Sequence, residues 1–241
     1  MHLQFLFFLN ASCPTPNMPV DQGYVDRLKR LQWGKNMRFV LLAFDYTYNA
    51  QGERLLEHSA FHTPNTYAAK VCETFPEYFQ WIASIHPYRK DGVEALTQAA
   101  NAGAIGVKWL PPAMGIDPSS PLCDRFYETL VKFDLPLLCH AGDEHAVAGV
   151  GVQHYGNPLL LRRALDHGVR VVVAHCASIG SGIDLDKGEH AAPVLNIDLF
   201  GRLMAEPRYQ DKLFGDISAI PQINRVAVLD KILLHPEWHS R

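Results

Sequence analysis

Six short apolar runs punctuate the chain, at residues 39–44, 81–85, 104–107, 135–139, 169–174 and 213–215. Each is followed at once by a polar residue able to bind a metal or move a proton: Asp45, His86, Lys108, His140, His175 and Asp216. A run that stays apolar instead of alternating is what a strand covered on both faces looks like, and such strands belong to parallel sheets. The stretches between them read as helices. Asp91 three positions before Glu94 makes a capping-box start, with Gly103 as the stop. Asn157 caps a helix that begins at Pro158, and Gly168 ends it. Residues 119–133 put Leu122, Phe126, Leu130 and Phe133 on one helical face, and residues 197–204 and 225–234 repeat that pattern more briefly. With no internal repeat, low-complexity tract or Ser/Gly linker, the alternation predicts an α/β fold, a TIM-like (β/α) barrel. One domain over residues 1–241 is expected, with 1–36 as an atypical N-terminal segment.

Bulk properties narrow the function classes. A chain of 241 residues is close to the roughly 250 of one such barrel. The charge balance of −3, without long runs of either sign, argues against nucleic acid or an anionic membrane surface as partner and for a small-molecule substrate. Five cysteines, an odd number with no C-x-x-C pair, fit a reducing, cytoplasmic setting. Residues 3–9 are apolar, but only Met1 and His2 precede them, so a strand or helix packed on the domain is expected and not a secretory leader.

In parallel α/β folds the chemistry sits at the carboxyl ends of the strands. His140 and His175 both emerge where an apolar run meets a small-residue turn. Imidazoles from neighbouring strand ends can converge on a divalent ion, although one such His alone is more often a hydrogen-bonded structural residue. Lys108 is harder to explain structurally, because an ammonium inside a barrel is costly and its pKa falls. A neutral amine there can form a Schiff base with a carbonyl, or take up carbon dioxide as a metal-bridging carbamate. The plain alternative is a Lys108 salt bridge to Asp45, Asp216 or Glu144. His86, Glu144 and Trp109 are candidate substrate-binding residues, with hydrogen-bonded or core roles as alternatives. His58, His62, His235 and His239 read as surface residues. Two long Gly/Asp/His-rich loops, 143–156 and 180–193, are placed to hold or cover substrate.

The segments Val107-Lys108-Trp109-Leu110-Pro111, Cys139-His140-Ala141-Gly142, Ala174-His175-Cys176 and Gly215-Asp216-Ile217-Ser218 resemble successive strand ends of the amidohydrolase superfamily, especially amidohydrolase-related (family 2) proteins, from about residue 39 to 241. The resemblance implies a barrel with one or two divalent ions, zinc being expected, and a metal-activated water attacking an amide, ester or lactone bond. It makes Lys108 the bridging ligand and His140 and His175 ligands from the fifth and sixth strands. The family's His-x-His pair of the first strand and its Asp of the eighth have no counterpart here. The expectation is therefore an incomplete barrel lacking its first and eighth strands, a fragment of reduced activity, and self-association through the open edges. Metal-dependent decarboxylation or another lyase reaction, and a non-catalytic remnant, are the alternative readings.

Overall fold

The computed structural model describes residues 19–31, 34, 37–188 and 190–241. The apolar run at residues 3–9 and Cys13 lie outside them. The strands are β1 (Phe39–Leu42), β2 (Phe79–Ile82), β3 (Val107–Trp109), β4 (Leu137–His140), β5 (Val171–Ala174), β6 (Ser181–Ile183), β7 (Pro193–Leu195) and β8 (Leu213–Gly215). The helices that matter below are α1 (Val20–Arg30), α2 (Asn65–Thr74), α3 (Gly92–Asn101), α4 (Pro111–Met114), α5 (Asp124–Lys132), α6 (Arg162–Asp166), α7 (Asn196–Met204) and α8 (Leu229–Leu234).

Every one of the six apolar runs forms a strand, and all six run parallel. β1 pairs with β2, and β3, β4, β5 and β8 pair in that order; a parallel bridge between Ala83 and Val107 joins the two groups. The result is a TIM-like sheet that does not close among the described residues. At its β8 edge the Gly215 N–H donates to the Arg241 carbonyl at 3.2 Å.

Strand pleating assigns each residue a side. Val107, Trp109, Leu137, Cys139, Val171, Val173 and Leu213 are fully buried and face the helical layer. Their alternates form one row in register across four strands, Lys108 beside Leu138, Leu138 beside Val172, and Val172 beside Phe214. That row faces the concave side and is partly exposed. Lys108 is its one charged member. Burying the outer face supplies most of the hydrophobic stabilisation: Trp109 packs on Phe126 and Tyr127 of α5 with ring centroids 5.3 and 5.7 Å away.

Several local expectations change. Asp91 precedes α3 but its carboxylate does not cap; it pairs with the Arg89 guanidinium at 2.6 Å, a stronger charge-assisted bond. Leu122 belongs to a short 3₁₀ turn (Pro121–Cys123) instead of α5 and is 50% exposed, so it leaves the apolar face. Asn157 does cap, accepting from the Leu159 N–H at 3.0 Å, but its helix opens with a 3₁₀ turn (Pro158–Leu161) before α6. The 180–193 loop contains an antiparallel hairpin, β6 with β7, which hydrophobic patterning did not signal. His62 is not a free surface residue; its ring stacks on Tyr46 with centroids 3.9 Å apart.

Candidate functional site

The carboxyl ends of β3, β4 and β5 bring Lys108, His140 and His175 to one place. The two imidazoles lie edge to face, with ring centroids 5.8 Å apart. The charge on Lys108 acts on both of them. Three consecutive strands with equal rise make this convergence a consequence of the parallel register.

Two turns hold the imidazoles in place. After His140 the chain enters Gly142 in the left-handed region (φ +88°), where a Cβ would come within 2.6 Å of the Ile179 carbonyl. Only glycine lets the β4 and β5 loops touch there. After β5, His175, Cys176 and Ala177 all carry positive φ (56°, 51° and 52°) without a glycine among them. Consecutive left-handed L-residues are costly, and such strain concentrates where a side chain must be aimed.

Each imidazole has one nitrogen on a carbonyl and one without a partner among the described residues. The His140 ring places Nε2 3.3 Å from the Asp143 carbonyl oxygen and 3.6 Å from Glu144 Oε2. His175 Nδ1 lies 2.9 Å from both the carbonyl and the hydroxyl oxygen of Ser218. That hydroxyl in turn donates to Asp216, whose other oxygen accepts from the Ser218 N–H. An imidazole whose N–H is fixed by a carbonyl presents its opposite nitrogen as a lone pair, the arrangement found in metal-ligating histidines. Burial, reinforced by the Lys108 charge, lowers His140 to about 3, and burial lowers His175 as well, so both stay neutral at pH 7.

Burial pushes the Lys108 amine down to about 8. Protein surrounds it, yet the open concave face leaves it a narrow access to water. Among the described residues it has no hydrogen-bond or ion-pair partner, so the salt bridges to Asp45, Asp216 and Glu144 do not form. Asp45 is committed to the Arg89 guanidinium at 3.0 Å and to the His86 N–H at 2.9 Å. Glu144 is held by the N–H groups of Ala146 and Val147.

A divalent ion needs unprotonated donors that are not already engaged. The free nitrogens of His140 and His175 meet that condition, and the depressed amine of Lys108 meets it in its neutral fraction, which grows as pH rises toward 8. Among the described residues no group of three or more His, Cys, Asp and Glu could hold a metal. Any ion bound here therefore depends on Lys108 as its third donor.

Two expected substrate contacts lie elsewhere. Trp109 is fully buried, donates its indole N–H to the Ile85 carbonyl at 2.9 Å, and faces the helices because it follows the inward Lys108 by one position. His86 is fully buried, with Nε2 3.0 Å from the Met114 carbonyl oxygen and Nδ1 accepting from the Tyr88 N–H at 3.2 Å; burial lowers it to about 4. It is a neutral, saturated core residue. Glu144, by contrast, does join the site, through His140.

Sequence patterning also missed Arg225. It donates from Nη1 to the Ser178 hydroxyl at 2.6 Å and reaches the site from the segment after β8. A lone Arg in a loop at the carboxyl end of a strand was the only signal for it.

Three solved structures are similar to this chain. An uncharacterized TIM-barrel protein from Bordetella bronchiseptica aligns over 94% of this chain and 71% of its own, at 14% identity and TM-score 0.58. A 2,6-dihydroxybenzoate decarboxylase aligns over 70% of this chain and 60% of its own (13% identity, TM-score 0.46). The 5-carboxyvanillate decarboxylase of Novosphingobium aromaticivorans, solved with manganese, aligns over 47% and 38% (16% identity, TM-score 0.38). No curated protein matches the sequence. A family model described as Amidohydrolase matches residues 35–206. That match takes in β1 to β7 and all three strand-end nitrogen donors, and the chain belongs to the amidohydrolase-related family.

Proposed function

We propose that the chain is a metal-dependent hydrolase of the amidohydrolase type, acting on an amide, ester or lactone bond of a small metabolite, with Lys108, His140 and His175 holding a divalent ion, zinc being expected. The observation that carries the reading is the convergence of two neutral imidazoles and an unpartnered amine on three adjacent strand ends. A bound ion supplies a water of lowered pKa and polarises the scissile carbonyl.

The chain's own residues have definable parts. Asp143 and Ser218 fix the imidazole tautomers through their carbonyls, and Glu144 adds a carboxylate beside His140. Lys108, at about 8, has a neutral fraction at pH 7 that can donate its lone pair or take up carbon dioxide as a carbamate. The concave row of Leu138, Val172 and Phe214 supplies an apolar floor for substrate. The proposal extends to a cytoplasmic enzyme of small molecules, with self-association through open barrel edges.

Metal analysis tests it. Zinc-loaded, desalted wild type should retain about one equivalent, whereas His140→Ala/His175→Ala and Lys108→Met should retain little. Equal metal in all three proteins removes the reading. Product analysis, carbon dioxide against a hydrolysis product, separates hydrolase from decarboxylase.

A further inference from the structure

A cleft of about 340 Å³ lies between the β6–β7 hairpin and the turns at residues 153–160. Leu160 forms one wall and Ile183 and Leu185 the other; the latter two are apolar yet 39% and 42% exposed. A space of this size takes a small ligand. None of Lys108, His140 and His175 lines it.

The polar groups left over in this cleft are acceptors. Asn196, at the start of α7 and 2% exposed, lines it. The Asn196 Nδ2 donates to the Ile179 carbonyl at 3.0 Å, so the carboxamide cannot be reversed without setting oxygen against oxygen. Its Oδ1 is fully buried and has no donor. Among the described residues it is the one buried side-chain acceptor in that condition, since the other two unpartnered atoms, Arg202 Nε and Arg225 Nε, are donors. A buried acceptor without a donor is costly, and such a group calls for a partner. Asp143 supplies a second acceptor. Its carboxylate lies flat against Gly180, with Cγ 2.1 Å from where a Cβ would stand, and the Asn196 Oδ1 lies 2.9 Å from the corresponding point on Gly182. Both acceptors therefore sit against one short stretch, residues 180–182. The ion pair of Asp143 is a long one, 3.9 Å to the exposed imidazole of His145. The neighbouring carboxamides are already spent: Asn157 accepts from the Leu159 N–H and donates to the Ile183 carbonyl, and Gln153 exchanges two bonds of 2.8 Å with the backbone of Glu144. No Lys or Arg lines the cleft.

We propose that this cleft is a binding site, separate from the three nitrogen donors, for a small apolar amine, whose ammonium donates to the Asp143 carboxylate and to Asn196 Oδ1 while its body lies on Leu160, Ile183 and Leu185. An ammonium carries three donors and no acceptor, the complement of a carboxylate beside an amide oxygen. A neutral alcohol brings one donor, and an anion meets only acceptors. Asp143 joins the cleft to the strand-end site, because its carboxylate lines the cleft while its carbonyl holds His140. The amine site needs no metal and goes beyond the hydrolase reading.

The test uses full-length protein, zinc-loaded and EDTA-treated, and three probes of similar shape, 2-phenylethylamine, 2-phenylethanol and 3-phenylpropanoate, with binding read by calorimetry. The amine should bind about ten-fold or more tightly than the alcohol, equally with and without zinc, and the anion should not bind. Asp143→Asn, which keeps the backbone carbonyl on His140, should bring the amine down to the level of the alcohol. Leu160→Trp, which fills the cleft, should abolish binding of both, and melting curves establish that each variant is folded. Zinc content measured on the same samples keeps the two ideas apart: amine binding by wild type that takes up no zinc sinks the hydrolase reading and leaves the amine site standing. Amine binding that requires zinc, alcohol or anion binding as tightly as the amine, no amine binding by wild type, or undiminished binding by a folded Asp143→Asn or Leu160→Trp overturns the proposal.

Discussion

Replacing Lys108 with methionine should make the protein more stable at neutral pH. The amine's pKa falls from 10.5 to about 8 on folding because burial disfavours its charge, and the more distant Cys139, Asp216 and Glu144 offset only part of that without a hydrogen bond or ion pair among the described residues. One pKa unit corresponds to about 1.4 kcal/mol, so the charged amine costs the fold on the order of 3 kcal/mol. Its narrow access to water trims this to roughly 2 kcal/mol. For a chain of 241 residues that is a rise in Tm of about 4–8 °C. The sign follows from proton binding: between pH 8 and 10.5 the unfolded chain holds more protons than the folded one, so wild type gains stability as pH rises through that window. The penalty is present in full below pH 8. Calorimetric melts of wild type and Lys108→Met, both in EDTA, at pH 7 and pH 10 provide the assay. The variant should melt higher at pH 7, and the gap should close toward pH 10. A variant that melts at or below wild type at pH 7, or a gap independent of pH, refutes the assignment of Lys108 as a buried, unpaired amine.

Other expectations follow from the same geometry. Trp109→Ala should cost about 3–5 kcal/mol by emptying a fully buried site, while leaving zinc content unchanged in whatever protein remains folded; denaturant titration and metal analysis together check this. His86 and His140, with pKa values brought down to about 4 and about 3, bind protons only after unfolding, so stability should fall as pH drops from 6.5 toward 4. For His86 alone the loss is on the order of 3 kcal/mol, and a flat denaturant midpoint between pH 6.5 and 4.5 contradicts it. Asn157→Ala should cost about 1–2 kcal/mol, since its side chain both caps Leu159 and donates to the Ile183 carbonyl at 2.8 Å. A midpoint within error of wild type would dismiss that role.

The six strand tips were legible because parallel strands must be apolar along their whole length, and a polar residue at the end of one stands out. What was not legible has physical causes. Strand pleating separates Trp109 from the site: if Lys108 points inward, Trp109 must point outward, and its burial follows. His86 stands beyond the last paired residue of β2, where pleating no longer dictates direction, and its partners Met114 and Tyr88 come from sequence positions that no spacing rule connects. The β6–β7 hairpin has three-residue strands set among Gly and Asp, too short for alternation to register. Asp91 carries a genuine cap signal that a nearby Arg89 diverts. Arg225 reaches the Ser178 hydroxyl across 47 positions, and no spacing rule connects the two.

The central claim is that Lys108, His140 and His175 form one nitrogen-donor set. Crystals soaked in zinc and measured across the zinc absorption edge address it directly. The expected result is an anomalous peak about 2 Å from the free nitrogens of His140 and His175 and within bonding reach of the Lys108 side chain. A peak bound by other residues, or none at saturating zinc with all three side chains ordered, contradicts the claim.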